Sequence, residues 1–249
     1  IIIISFFSII IFFLSLIKFD YLFLRNFFWF LIITTLLVYH IELKKIFGIC
    51  IKFAKNNFLI SLLIFLFLIL SFLPSIDADT IDYHLGIGLD VIREGKLNNR
   101  LDWLHFRLGG SGEYLNLFGL VIGSKNFGQI IQFSSLIILL LSLISISKTN
   151  KFKNKEIDKL INLCVFSAPI LIVLIYSQKY QIFGSSIIFF LLVLISRYLK
   201  FPSKKTLLIL TLSLSFLVTL KHSFIISGAL ITSILILITY KKKQIYYFL

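Results

Sequence analysis

FGQIIQFSSLIILLLSLISI, residues 127–146, runs for twenty positions without a charged side chain. A helix of that length covers about 30 Å at ~1.5 Å per residue, the hydrocarbon thickness of a bilayer. The run does not alternate polar and apolar residues as the strand of a membrane barrel does. It therefore reads as a transmembrane helix, and it is one of several. The same reading gives seven more candidate spans: 1–17, 21–39, 58–73, 160–176, 182–196, 206–220 and 223–240. The expected fold class is all-α, a polytopic transmembrane helical bundle.

Composition agrees. Of the 249 residues 59% are hydrophobic and only 14% charged, against about 25% charged in an average soluble domain. Soluble, disordered, collagen-like and disulfide-rich secreted classes are excluded. Cys50 and Cys164 are far apart and lack the spacing of a metal or redox motif. Residues 1–17 have neither a basic leader nor a small-residue cleavage site, so they read as a span rather than a signal peptide. The chain contains no Met and ends on a basic and then apolar run, so it is expected to be a fragment of a longer protein.

A net charge of +14 would suggest nucleic acid in a soluble protein, but here the basic residues cluster in the connectors. His40–Asn57 carries Lys44, Lys45, Lys52 and Lys55 against Glu42. Ser147–Lys159 carries five lysines against two acids, Arg197–Lys205 carries four basic residues and no acid, and Lys241–Lys243 follows the last span. If every span crosses once, all four segments fall on one side, the cytoplasm by the positive-inside rule. Membrane topology thus accounts for the charge, with no nucleic acid as partner.

The long connector on the opposite, external face is 74–126. Between Pro74 and Glu113 it holds seven of the eleven acids in the chain: Asp77, Asp79, Asp82, Asp90, Glu94, Asp102 and Glu113. Asp79–Lys96 reads as an interfacial amphipathic helix, with Ile81, Leu85, Gly88, Leu89 and Ile92 on one face and Gly95 ending it. Glu113–Ile122 reads as a second interfacial helix. Asp79 suits the N-cap of a helix starting at Thr80, and its depth at the membrane surface also suits a lipid phosphate or its acceptor. Lys179 and Lys221 lie on the external face, against the charge rule. Lys221 has two readings, an anion ligand and a side chain snorkelling to headgroups. His84 and His105 lack metal-ligand spacing, so no metal site is assigned, and a divalent cation is left open as a cofactor.

The run Asp77-Ala-Asp79-Thr-Ile-Asp-Tyr83-His84-Leu85, followed by Gly95-Lys-Leu, resembles the first external loop of C-type membrane glycosyltransferases. These include the aminoarabinose-transferase and protein-mannosyltransferase-like proteins of bacteria. Gly112-Glu113-Tyr-Leu and Gly123-Ser-Lys-Asn-Phe-Gly-Gln resemble the return of that loop. Leu217-Val-Thr-Leu-Lys221-His-Ser-Phe224 resembles a lysine-bearing segment at the external membrane face. The resemblance covers about residues 58–240. The mannosyltransferases carry Asp-Glu where this chain has Asp79-Thr80, with Asp77 as the second acid.

The resemblance implies transfer of a sugar from a polyprenyl-phosphate donor to a lipid, glycan or protein acceptor outside the bacterial inner membrane, in a single inverting step. It implies Asp79 as general base with Asp77 as deputy. Lys221, and after it Lys179 and Arg107, would meet the lipid phosphate. Glu113 would bind sugar hydroxyls, and Tyr83 and His84 would join the substrate site. It also divides the chain into 1–57, two spans and a basic cytoplasmic loop, and 58–249, the membrane core with external loop 74–126. The alternatives are a translocator of lipid-linked oligosaccharides or another multi-span transporter, and an assembly subunit that uses the loop for docking.

Overall fold

A computed structural model describes residues 2–97, 110–149 and 155–241. Among them there is no strand. The helices are α1 (Ile2–Ser15), α2 (Tyr21–Val38), α3 (His40–Asn56), α4 (Phe58–Leu70), a π turn (Thr80–His84), α5 (Gly86–Glu94), α6 (Ser111–Val121), α7 (Phe127–Thr149), α8 (Lys155–Phe166), α9 (Ile170–Tyr176), α10 (Gln181–Lys200), α11 (Lys204–Leu220) and α12 (Phe224–Lys241). Three of them, α2, α7 and α10, are long and apolar enough to cross a membrane. The protein is thus an all-helical membrane protein.

Each expected span coincides with helix, with one exception. Residues 160–176 form two helices rather than one: α8 ends at Phe166 and α9 begins after Pro169. Proline has no N–H to give the preceding turn, and its ring clashes there. The basic segment 40–57, expected as a loop, is almost entirely the helix α3.

The bundle is built around α7 and α10. The largest cluster joins α10 to α11 and α12 through Phe183, Ile187, Leu191, Leu210, Leu217, Ile231 and Leu235. A second packs α4, α7, α8 and α9 together through Phe67, Leu136, Phe166 and Ile175. A third seats α1 and α2 on α5 and α6 through Ile11, Phe28, Val91 and Phe118.

The C-terminal ends of α4 and α9 leave backbone groups to satisfy, because a helix end has carbonyls without intrahelical partners and lipid offers none. Two buried glutamines of α7 meet this need. Gln129 Nε2 donates to the carbonyls of Leu73 (2.9 Å) and Tyr176 (2.8 Å). Gln132 Nε2 donates to the carbonyl of Leu174 at 3.3 Å, and its Oε1 accepts the N–H of Phe183 at 3.0 Å. The C-terminal ends of α4 and α9 and the start of α10 are thereby tied to the first turns of α7.

The acidic connector differs from its sequence reading in three ways. First, α6 is not an interfacial helix. Its residues Leu115–Val121 are all buried, between α1, α5, α7 and α11. Second, the face that segment 79–96 turns inward is Thr80, His84, Ile87, Gly88 and Val91. Ile81 and Leu89, read from the sequence as part of the apolar face of an interfacial helix, are exposed. The π turn is closed by the Leu85 N–H on the Thr80 carbonyl (2.9 Å). Gly88 meets α6, where a Cβ would lie 2.8 Å from Leu120 and 3.3 Å from the Leu117 backbone. Third, the cap is Asp77, whose Oδ1 accepts the Thr80 N–H at 3.1 Å. Asp79 is already helical and makes no cap bond. Gly95 does end α5, in the left-handed region at φ 70°, where glycine pays no Cβ penalty.

Candidate functional site

Four chain segments meet at the end of the bundle where α4 and α9 stop and α10 begins. The first is the turn after α4. There Lys179 Nζ lies 2.8 Å from Asp79 Oδ2 and 3.3 Å from Asp77 Oδ1. The Gln178 N–H donates to Thr80 Oγ1 at 3.2 Å, a buried bond one residue from that ion pair. The lysine is therefore pinned by its neighbour's backbone as well as by charge. The hydrogen bond to Asp79 raises the Lys179 pKa above the ordinary lysine value, against a smaller opposing effect of burial.

Tyr180, next in sequence, has φ 58°, a left-handed conformation that costs a non-glycine residue about 1–2 kcal/mol. It is held there by burial and by its hydroxyl, which donates to Asn116 Oδ1 at 2.5 Å. Asn116 in turn donates to the His84 carbonyl at 3.0 Å. Strained residues of this kind cluster at functional sites because the surrounding packing must over-determine them.

His84 and Glu113 form the buried centre. His84 Nδ1 lies 2.8 Å from Glu113 Oε1, and Glu113 Oε2 accepts the Gly110 N–H at 2.6 Å. Both carboxylate oxygens are thus engaged by protein groups, and the side chain is almost wholly buried. Glu113 caps the start of α6 while holding the histidine. The other ring nitrogen, His84 Nε2, is buried without a hydrogen-bond partner.

Gly110 brings in the last segment. A Cβ there would lie 2.5 Å from the Leu220 carbonyl and 2.8 Å from that of Thr219. Only glycine lets the start of α6 approach the end of α11 this closely. Lys221 follows directly as the C-cap of α11, in extended conformation. It is half-buried. Burial pushes its pKa down, while the negative charges of Glu113 and Asp79 pull it up and Lys179 pushes it down further. Tyr83 feels the same group: burial raises its pKa first, then Asp79 and Glu113.

Beside this junction an apolar cavity of about 450 Å³ opens between α1, α6 and α11. Ile9, Phe12, Leu212 and Phe216 line it, and Ser111 and Thr219, on Gly110's side, supply polar groups. Among the described residues no group of three His, Cys, Asp or Glu side chains is close enough to hold a metal.

Asp77, Asp79, Tyr83, His84, Glu113, Lys179 and Lys221, all singled out in the sequence, thus gather at one end of the bundle. Arg107 and His105 lie outside the described residues. Lys179 meets the two aspartates directly. Glu113 and His84 face inward toward each other. The sequence reading passed over Asn116, Tyr180 and Gln178. The one signal available was polarity within an apolar run, as at Asn116 in Leu115-Asn-Leu-Phe.

The fold and this junction define a polytopic helical membrane protein with an ionisable cluster at one end of the bundle. A family described as the DUF1420 N-terminal domain matches residues 25–249, and the chain belongs to that family. No curated protein and no solved structure matches the chain.

Proposed function

We propose that the protein is a membrane glycosyltransferase that moves a sugar from a polyprenyl-phosphate donor to an acceptor at the external membrane face. The observation that carries this reading is the convergence of Asp77, Asp79 and Lys179 with Lys221 beside an apolar cavity. Carboxylates, a half-buried cation and an apolar channel are what a lipid-linked anionic donor and a hydroxyl acceptor need. The basic helix α3 and the basic connectors, on the other side under the positive-inside rule, agree with an external site.

In this reading the acceptor hydroxyl attacks the anomeric carbon as its proton passes to the Asp79 carboxylate. The new C–O bond forms as the bond from the anomeric carbon to the phosphate oxygen breaks. The electron pair leaves on the lipid phosphate, whose growing charge Lys221 meets. Lys179 aims Asp79. A positioned base of this kind contributes typically ~10²–10⁴-fold. The lipid chain lies in the cavity along α1 and α11. His84 and Glu113 act by fixing the π turn against α6 and not by touching the sugar.

The test is transfer from a radiolabelled polyprenyl-phosphate sugar pool in membranes containing the complete gene product. Loss of transfer in Asp79→Asn at unchanged expression supports the reading. Full activity in that variant moves the base to Asp77. No transfer by the wild type from any donor overturns it in favour of a translocator.

A further inference from the structure

The segment that the sequence presents as a basic loop is the helix α3, and its residues sort by face. At about 100° per residue, positions 44, 45, 52 and 55, all lysine, fall within an arc of about 100°. Leu43, Phe47 and Ile51 follow one another at i, i+4 and i+8 and form an adjacent stripe. They are 44%, 68% and 45% exposed. Phe53, on a third face, packs against the cluster of α4, α7, α8 and α9. Ile41, at the α2 end, is the apolar exception on the lysine face. The chief neighbours of α3 are α2 and α4, and Lys44, Lys45 and Lys55 of the lysine arc are exposed, as is the apolar stripe.

Charge and shape together select the partner. Four lysines stand against one acid, Glu42. An exposed apolar stripe beside a lysine arc, on a helix joined at each end to an apolar helix, fits neither bulk water nor the bilayer interior. It fits the headgroup boundary, with Leu43, Phe47 and Ile51 in the acyl region and the lysines at phosphate level. A zwitterionic surface would leave the lysines without counter-charge. We propose that α3 is an in-plane docking helix for anionic phospholipid, which anchors the α2–α4 side of the bundle to one leaflet. This is independent of the proposed transfer chemistry.

The experiment is hydrogen exchange over residues 40–56 of the full chain in nanodiscs of phosphatidylcholine, with and without phosphatidylglycerol. Anionic lipid is expected to slow exchange in α3 by roughly fivefold per engaged lysine, the equivalent of about 1 kcal/mol each. It should leave α10 unchanged, and high salt should reverse the effect. A Lys44→Gln, Lys45→Gln, Lys52→Gln, Lys55→Gln variant should lose the lipid dependence. Equal protection in both lipids, or equal slowing of α3 and α10, overturns the proposal. So does lipid dependence that survives in the quadruple variant. If that variant misfolds, the salt titration of the wild type decides alone.

Discussion

Lys179 Nζ lies 2.8 Å from Asp79 Oδ2, across 100 residues of chain. The pair joins the turn after α4 to the turn before α10, the two places where the apolar helices pause at the same end of the bundle. Asp77 shares the lysine at 3.3 Å, so one cation serves two carboxylates. The two acids differ in what else they do, and this separates their expected mutant effects.

Asp79→Asn is expected to fold normally. The Asp79 side chain is largely exposed, and ion pairs of that kind contribute about 0–1 kcal/mol. Under the proposed chemistry the same variant loses transfer by ~10²–10⁴-fold. Asp77→Ala removes a helix cap as well, at a cost of about 0.5–2 kcal/mol. Thermal unfolding in detergent, read beside donor turnover in membranes, separates the two. A larger drop in melting temperature for Asp79→Asn than for Asp77→Ala would contradict the assignment of the cap.

His84→Ala should destabilise strongly. It leaves Glu113 buried with one oxygen unpartnered, and a buried hydrogen-bonding group left unsatisfied costs about 1–3 kcal/mol. Glu113→Gln keeps both positions polar and should cost less. Denaturant midpoints of the purified protein check the order. Equal effects of the two substitutions would mean that the pair is not the joint between the π turn and α6.

Gly110→Ala is expected to push α6 away from α11. The new Cβ has two backbone carbonyls within 3 Å, and backbone moves less readily than a flexible side chain. Overpacking of this sort costs about 1–3 kcal/mol. A disulfide cross-link between Ser111→Cys and Thr219→Cys, whose hydroxyls lie 3.3 Å apart, should form readily in the parent and slowly with Gly110→Ala. Equal rates would refute the close seam.

Lys179 and Lys221 predict opposite pH responses. The Lys221 pKa is lowered, so the folded state disfavours its charged form. Its contribution to stability rises as pH climbs from the lowered value toward 10.5, the ordinary lysine value. Anion binding that depends on its charge falls over the same window. The Lys179 pKa is raised. Its contribution is fully present below the ordinary value and is lost only as pH passes through the raised one. Titration of inorganic phosphate or a polyprenyl phosphate against the wild type and Lys221→Met should show, in the wild type alone, binding that weakens as pH is raised and begins to do so before pH 10.5. A wild-type profile flat up to that pH would refute the role of Lys221.

The sequence by itself determined that this is a membrane protein, where its apolar helices run, and that its acids gather in one connector. These are properties of local runs, since a bilayer selects uninterrupted apolar stretches whatever they pack against. Gly95 as the end of α5 was legible for the same local reason. Pro169 splits a span by a local rule that the sequence reading passed over; only the tertiary structure decided that α6 lies inside and that Thr80 and His84 are buried beside it. It also decided that Asp77 rather than Asp79 caps the turn, and that Lys179 and Glu113 meet protein partners. Apart from the Asp77 cap, which is local, these depend on contacts between residues far apart in the chain: Glu113 drawing His84 inward, Lys179 reaching Asp79, Gly110 meeting Leu220. No local pattern specifies which distant side chain supplies the partner that a buried polar group requires.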